Sequence, residues 1–152
     1  MRKFFVSLIF FSAIYAEGIN ADHFKNLKFR FIGPDGNRAI AVAGVSSDHN
    51  TYYVGAASGG LWRTKNNGIS WQPIFDDQDV SSVSALAVSQ KDPSIVWAGT
   101  GETFLIRPAH AIGDGIYKST DGGDTWTNMG LEKTARIGRI VIHPNNPNIV
   151  YA

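Results

Sequence analysis

Short runs in which alternate positions are apolar recur along the chain, separated by clusters of Gly, Asn, Asp, Ser and Pro. Ala85-Leu86-Ala87-Val88 and Arg139-Ile140-Val141-Ile142 carry this period of two, with β-branched residues among the apolar places. That period belongs to strands half buried on a sheet. Asn66-Asn67-Gly68, Asp92-Pro93, Asp121-Gly122-Gly123 and Asn146-Pro147 mark the joins, because these residues favour tight-turn backbone. No stretch sustains the 3.6-residue period of an amphipathic helix. The pattern predicts strands at 38–45, 51–57, 60–64 and 70–75, then at 82–89, 95–101, 115–119 and 125–129, and finally at 137–143 and 149–152.

The strands recur as a unit. Gly60-Leu61-Trp62-Arg63-Thr64-Lys65-Asn66-Asn67-Gly68-Ile69-Ser70-Trp71 is matched 55 residues later by Gly115-Ile116-Tyr117-Lys118-Ser119-Thr120-Asp121-Gly122-Gly123-Asp124-Thr125-Trp126. Lys91-Asp92-Pro93-Ser94-Ile95-Val96-Trp97-Ala98 is matched 54 residues later by Asn145-Asn146-Pro147-Asn148-Ile149-Val150-Tyr151-Ala152. A fainter copy lies at Ser47-Asp48-His49-Asn50-Thr51-Tyr52-Tyr53-Val54. Four short antiparallel strands repeated every 40–55 residues or so are the signature of β-propeller blades. The expected fold is all-β, with blade 1 at 36–76, blade 2 at 80–130 and the start of blade 3 at 136–152. About two and a half blades make an incomplete ring, since closure takes at least about four. The expectation is therefore an N-terminal fragment of a longer propeller, completed by further blades or by self-association.

The first residues follow a different rule. Arg2 and Lys3 precede an apolar run at 4–14 that is broken only by Ser7 and Ser12, and polarity returns at Glu17. This is the layout of a secretory signal peptide, 1–18, with cleavage near Ala16 or Gly18. The run is shorter than the ~20 residues that span a bilayer. The expectation is a mature domain at 19–152, secreted or held in the periplasm or cell envelope, with no membrane span after cleavage.

Composition narrows the chemistry. With 43% hydrophobic and 18% charged residues, the 152-residue chain can bury one domain's core. Net charge is +1 with no basic block, which argues against nucleic acid as a partner. The absence of cysteine excludes a disulfide scaffold, a thiolate metal site and a cysteine nucleophile. His23 and His49 lack partners at ligand spacing, and His143 sits at a strand end before Pro144. Asp76, Asp77 and Asp79 read as a solvated loop. No metal and no cofactor are expected.

The turn Ser119-Thr120-Asp121-Gly122-Gly123-Asp124-Thr125-Trp126 fits Ser-x-Asp-x-Gly-x-Thr-Trp. Asp121 can accept nearby backbone N–H groups, Gly123 supplies a conformation that side chains resist, and Trp126 can cover the turn. Residues 64–71 are a degraded copy, with Asn66, Gly68 and Trp71 in the same places. The motif resembles the Asp-box, or BNR repeat, of sialidases, sortilin-type receptors and xyloglucanase-type glycosidases. The wider series Phe31-Ile32-Gly33-Pro34, Ala57-Ser58-Gly59-Gly60-Leu61-Trp62, Trp97-Ala98-Gly99-Thr100-Gly101-Glu102 and Ile137-Gly138-Arg139-Ile140-Val141-Ile142-His143-Pro144 resembles large secreted bacterial proteins with sortilin-like propellers, across 29–152.

This resemblance is specific for fold and weak for activity. It implies that Ser119, Asp121, Gly123, Trp126, Asn66, Gly68 and Trp71 are structural. In xyloglucanase-type glycosidases one catalytic Asp stands just before a Gly-Gly after the second strand of the first blade. Ala57 holds that place here and cannot transfer a proton. No catalytic residue is assigned. Candidate ligand-binding residues are Glu102, Arg107 and His110, in an extended loop that also holds Asp114, together with the strand-start arginines Arg38 and Arg139. The expected function is an extracytoplasmic scaffold binding protein, peptide or glycan. Its alternative is part of a BNR-repeat glycoside hydrolase of xyloglucanase or sialidase type.

Overall fold

The computed structural model describes residues 20–27, 33–34, 38–103 and 111–152. The expected signal peptide lies outside the described residues. Backbone proximity divides the chain into Met1–Phe31 and Ile32–Ala152. In the first unit a 3-10 turn, Ala21–Phe24, begins at Asn20, whose side chain accepts the Asp22 N–H at 2.8 Å. Among the described residues no helix is long and apolar enough to cross a membrane.

The second unit is all-β, built from two four-stranded antiparallel sheets and a hairpin. The first sheet joins β1 (Ala39–Val45), β2 (Asp48–Ala56), β3 (Leu61–Thr64) and β4 (Gln72–Pro73) in sequential order. The second joins β5 (Val83–Val88), β6 (Val96–Thr100), β7 (Ile116–Ser119) and β8 (Thr127–Asn128) in the same order. The hairpin pairs β9 (Val141–His143) with β10 (Asn146–Tyr151). Sequential antiparallel order is what short turns permit. Pro73 is tolerated because β4 is an edge strand.

Two differences from the expected strands have a physical cause. The outermost strands have only two residues each, because the turns before them use side chains rather than a ladder to satisfy backbone groups. The expected strand 137–143 is regular only from Val141. Tyr151 of β10 already faces Val141, so residues 137–140 lie beyond the paired part of that hairpin.

The core lies between sheets. Tyr53, Leu61 and Phe75 from the first sheet and its flank pack on Val83, Val96, Ala98 and Tyr117 of the second. Phe75 meets Tyr117 and Trp126 edge to face, with ring centroids 5.1 and 5.3 Å apart. Each such aromatic pair adds about 1 kcal/mol beyond area burial. A second cluster, Ala85, Trp97, Ile116, Ile137 and Ile140, joins the second sheet to the third unit. Close approach at both seams needs glycine. A Cβ at Gly55 would lie 2.5 Å from the Val83 carbonyl oxygen, and one at Gly99 would lie 2.5 Å from Ile137 Cγ2.

The two outer turns repeat atom by atom. Ser119 Oγ donates to Asp121 Oδ1 (2.7 Å) and accepts the Gly123 N–H (2.7 Å). Asp121 then accepts the Thr125 N–H (2.9 Å) and hydroxyl (2.5 Å). In the first sheet Thr64 Oγ1 donates to Asn66 Oδ1 (3.0 Å) and accepts the Gly68 N–H (2.9 Å). Asn66 Oδ1 accepts the Ser70 N–H (2.9 Å) and Asn66 Nδ2 donates to Ser70 Oγ (2.9 Å). Gly123 and Gly68 have φ of 97° and 82°, which favours glycine. The Asn copy makes the same frame without a charge.

The Thr125 hydroxyl, then the Thr125 N–H and the Ser119 hydroxyl, hold the Asp121 carboxyl well below the usual carboxylate range. A depressed folded value adds stability above the unfolded value of about 4 and loses it as the pH falls below that. Asp121→Asn is expected to lower Tm at neutral pH by about 3 °C. It is also expected to flatten the fall of Tm between about pH 4 and pH 2. Circular dichroism melts of both proteins across that range check this, and an unchanged acid slope would count against it.

Candidate functional site at the sheet rim

One edge of the sheets gathers the residues just before β1 and β5 and just after β2 and β6. Backbone hydrogen bonds stitch this rim together. Ala57 N–H donates to the Arg38 carbonyl (2.9 Å), Gly60 N–H to Ser81 (2.7 Å) and Gly101 N–H to Ser82 (3.0 Å). Ile137 N–H donates to Thr100 (2.9 Å) and Gly113 N–H to Ala135 (2.9 Å). The rim is thus continuous across all three units, with its main-chain groups held by neighbours.

Arg38 and Glu102, 64 residues apart in sequence, meet on it. The Arg38 guanidinium donates to Glu102 Oε1 in an ion pair between the two sheets. The Glu102 side chain is 7% exposed and that of Arg38 is 43% exposed. The carboxylate is therefore sunk in the rim, with the guanidinium over it and partly in solvent. A buried carboxylate needs such a charge-assisted bond to remain ionised at low cost. Backbone holds Glu102 in place, since its N–H donates to the Ala111 carbonyl (2.9 Å). Gly101 beside it has φ of 91°, and a Cβ there would collide with the Ala135 carbonyl oxygen.

The other candidates divide. Arg107 and His110 lie outside the described residues. Asp114 turns away from the rim: it accepts the Tyr117 hydroxyl (2.6 Å) and the Thr100 hydroxyl (3.2 Å). Burial first, then this bond to Asp114, pushes the Tyr117 phenol up, so it stays a neutral donor. Ala57 is buried. Arg139 stands on the wall of an open cleft of about 280 Å³, between Ala41 and Val42 of β1, Ser84 and Leu86 of β5, and Gly138. Arg38 and Glu102 are not among its lining residues. The structure thus joins Arg38 to Glu102 and leaves Arg139 on a separate wall. Among the described residues no group of three or more His, Asp or Glu is placed to hold a metal.

Sequence reasoning missed a second polar centre, at the outer end of the seam. Arg63 is buried. Its Nη1 donates to the Gly122 carbonyl (2.8 Å), and its Nη2 donates to Gln72 Oε1 (3.2 Å) and pairs with Asp124 Oδ1 (2.7 Å). The Tyr53 hydroxyl donates to the same Gly122 carbonyl at 2.9 Å. Trp126 Nε1 crosses back to the Ile74 carbonyl at 2.7 Å. The available signal was a lone charge in Leu61-Trp62-Arg63-Thr64, repeated as Lys118 in the next unit.

No protein-family profile matches the chain. A curated xyloglucanase from Paenibacillus sp. is 30% identical over 120 residues, covering 69% of this chain and 11% of that protein. Among solved structures, an ancestral GH74 enzyme superposes with a TM-score of 0.60 at 22% identity, over 80% of this chain and 16% of that one. The Niastella koreensis GH74 enzyme does so with a TM-score of 0.53 at 20% identity, over 66% and 15%. At these identities the likeness is one of fold. The chain is built of β-propeller blades. It spans 11% of the length of the curated relative it matches.

The rim pair predicts a measurable coupling. Glu102→Gln and Arg38→Met are each expected to destabilise the protein, because a charge-assisted bond to a buried group is lost. In a double-mutant cycle by urea unfolding, the coupling energy is expected to be about 1–3 kcal/mol. A coupling near zero would show that the two side chains do not depend on each other.

Proposed function

We propose that the chain contributes blades to a glycoside hydrolase-type propeller, and that its rim holds a neutral polysaccharide of the xyloglucan class. The observation that carries this reading is the likeness to a xyloglucanase over 120 residues. The GH74 folds are consistent with it. The charge at the rim refines it. Arg38 is already neutralised by Glu102, so it does not offer the bare guanidinium that an anionic sugar such as sialic acid would select. A neutral glycan is bound through hydroxyl groups, for which a half-exposed guanidinium has spare donors.

In this reading residues 38–103 and 111–152 bind rather than cleave. Glycoside hydrolysis usually takes two carboxylates about 5–10 Å apart. Ala57 cannot be one of them, and Glu102 is paired to Arg38. Cleavage would draw on carboxylates elsewhere in the whole protein. We further assign the turns at 64–71 and 119–126 to the Asp-box, or BNR, type, on their matching hydrogen bonds. Residues 1–18 serve as a secretory signal, which suits a substrate found outside the cell. The scaffold alternative, binding protein or peptide, rests on the same rim but has no relative behind it.

Native affinity electrophoresis tests this. The chain is expected to be retarded several-fold in a gel containing xyloglucan relative to a gel without polysaccharide. Arg38→Ala, run well below its melting temperature, is expected to lose most of that retardation. Equal mobility in the two gels would overturn the reading.

A further inference from the structure

The outer end of the first seam is a lock, and the second sheet presents the same lock unfilled. In the first sheet three residues lie side by side across neighbouring strands: Tyr53 faces Arg63, and Arg63 faces Gln72. They receive the turn of the next sheet through its Gly122 carbonyl and the Asp124 carboxylate. In the second sheet the same positions are Trp97, Lys118 and Thr127, paired in the same way. Trp97 Nε1 is buried without a hydrogen-bond partner, and a buried N–H in that state costs about 1–3 kcal/mol. Lys118 Nζ lies 5.6 Å from the Trp97 ring centre. Among the described residues it has no ion-pair partner. An unpaired donor and an unpaired cation thus stand where, one blade earlier, a carbonyl and a carboxylate are bound.

We propose that this face of the second sheet docks an acidic β-hairpin. The occupant's tip carries a free main-chain carbonyl for Trp97 Nε1 and, two residues on, a carboxylate for Lys118. The geometry is that of Gly122 and Asp124 on Tyr53 and Arg63. The inner half of this face is already covered, since Ile137, Ile140, Ile142 and Val150 pack against the cluster that holds Trp97. A whole second copy of the chain therefore does not fit there. A two-stranded hairpin does, because β10 pairs only with β9 and its other edge is open among the described residues. Charge complementarity and continuity with the hairpin seated beside it fix the type of occupant. The site is separate from the rim and does not depend on glycan binding.

The probe is a disulfide-closed peptide of residues 115–130 with a cysteine added at each end. Its ends are natural neighbours, since Ile116 N–H donates to the Gly130 carbonyl at 3.0 Å. Its turn is first verified by nuclear Overhauser contacts. Titrated into the 15N-labelled chain, it is expected to shift the Trp97 indole signal saturably and slow its hydrogen exchange. Trp97→Phe identifies that signal by removing it. Lys118→Gln in the chain, or Asp124→Asn in the peptide, is expected to weaken binding about tenfold, while Lys118→Arg keeps or tightens it. No shift at millimolar peptide would overturn the proposal, as would binding indifferent to Lys118→Gln. Movement of the Trp97 signal on concentrating the chain alone would also overturn it, by making a second copy the occupant.

Discussion

A small twisted sheet has two faces and can bury neither alone, and this governs the whole molecule. Each blade must lie against the next. At the first seam the middle is apolar and aromatic, from Tyr53 and Phe75 to Tyr117 and Trp126. Main chain also approaches main chain closely enough that Gly55 and Gly99 admit no side chain. The outer end is closed by Arg63. A guanidinium this deeply buried is tolerated only where acceptors meet its N–H groups. Gln72, the Gly122 carbonyl and Asp124 meet them from two sheets. The acidic turn is therefore not decoration on a loop. It presents the carbonyl that Arg63 and Tyr53 need.

This division of labour explains why the motif that stands out most in the sequence is not a site of chemistry. Both Asp121 oxygens are engaged within their own turn, and Asp124 is engaged by Arg63. Neither has an oxygen held ready for a ligand. The rim differs. Its backbone is satisfied by neighbours, so its side chains are free of a structural task except at Glu102. Function is then expected on the side chains that stand on a satisfied frame, which is where Arg38 and Arg139 lie.

Much of the fold was legible from the residues. The period of two, the turn clusters and the offsets of 54 and 55 residues located eight strands in two sheets to within a few residues. The internal bonds of both turns followed from residue types, because their partners lie within four positions. What was not legible spans long sequence separations. Arg63 meets Gly122 across 59 residues and Arg38 meets Glu102 across 64. Nothing in local pattern fixes which blade edge a side chain will face. Asp114 was read with the loop chemistry for the same reason: its partner Tyr117 belongs to a strand, and only the folded register turns the carboxylate toward it.

The asymmetry between the two seams carries a last consequence. Arg63 binds with a planar fork, donating to a carbonyl, an amide oxygen and a carboxylate together, whereas Lys118 offers a compact charge with three rotatable donors. Tyr53 offers a hydroxyl where Trp97 offers only an indole N–H. The second seam therefore holds its partner less tightly by design of its residues, even with every contact made. If blades differ in this way, the ring does not open with equal ease at every join. Separation would begin at the Lys118 seam and leave the first two sheets together, since these share the larger aromatic core. The strength of a repeat architecture is then set by the single residue that each repeat places opposite its neighbour's turn, while the turn itself stays constant.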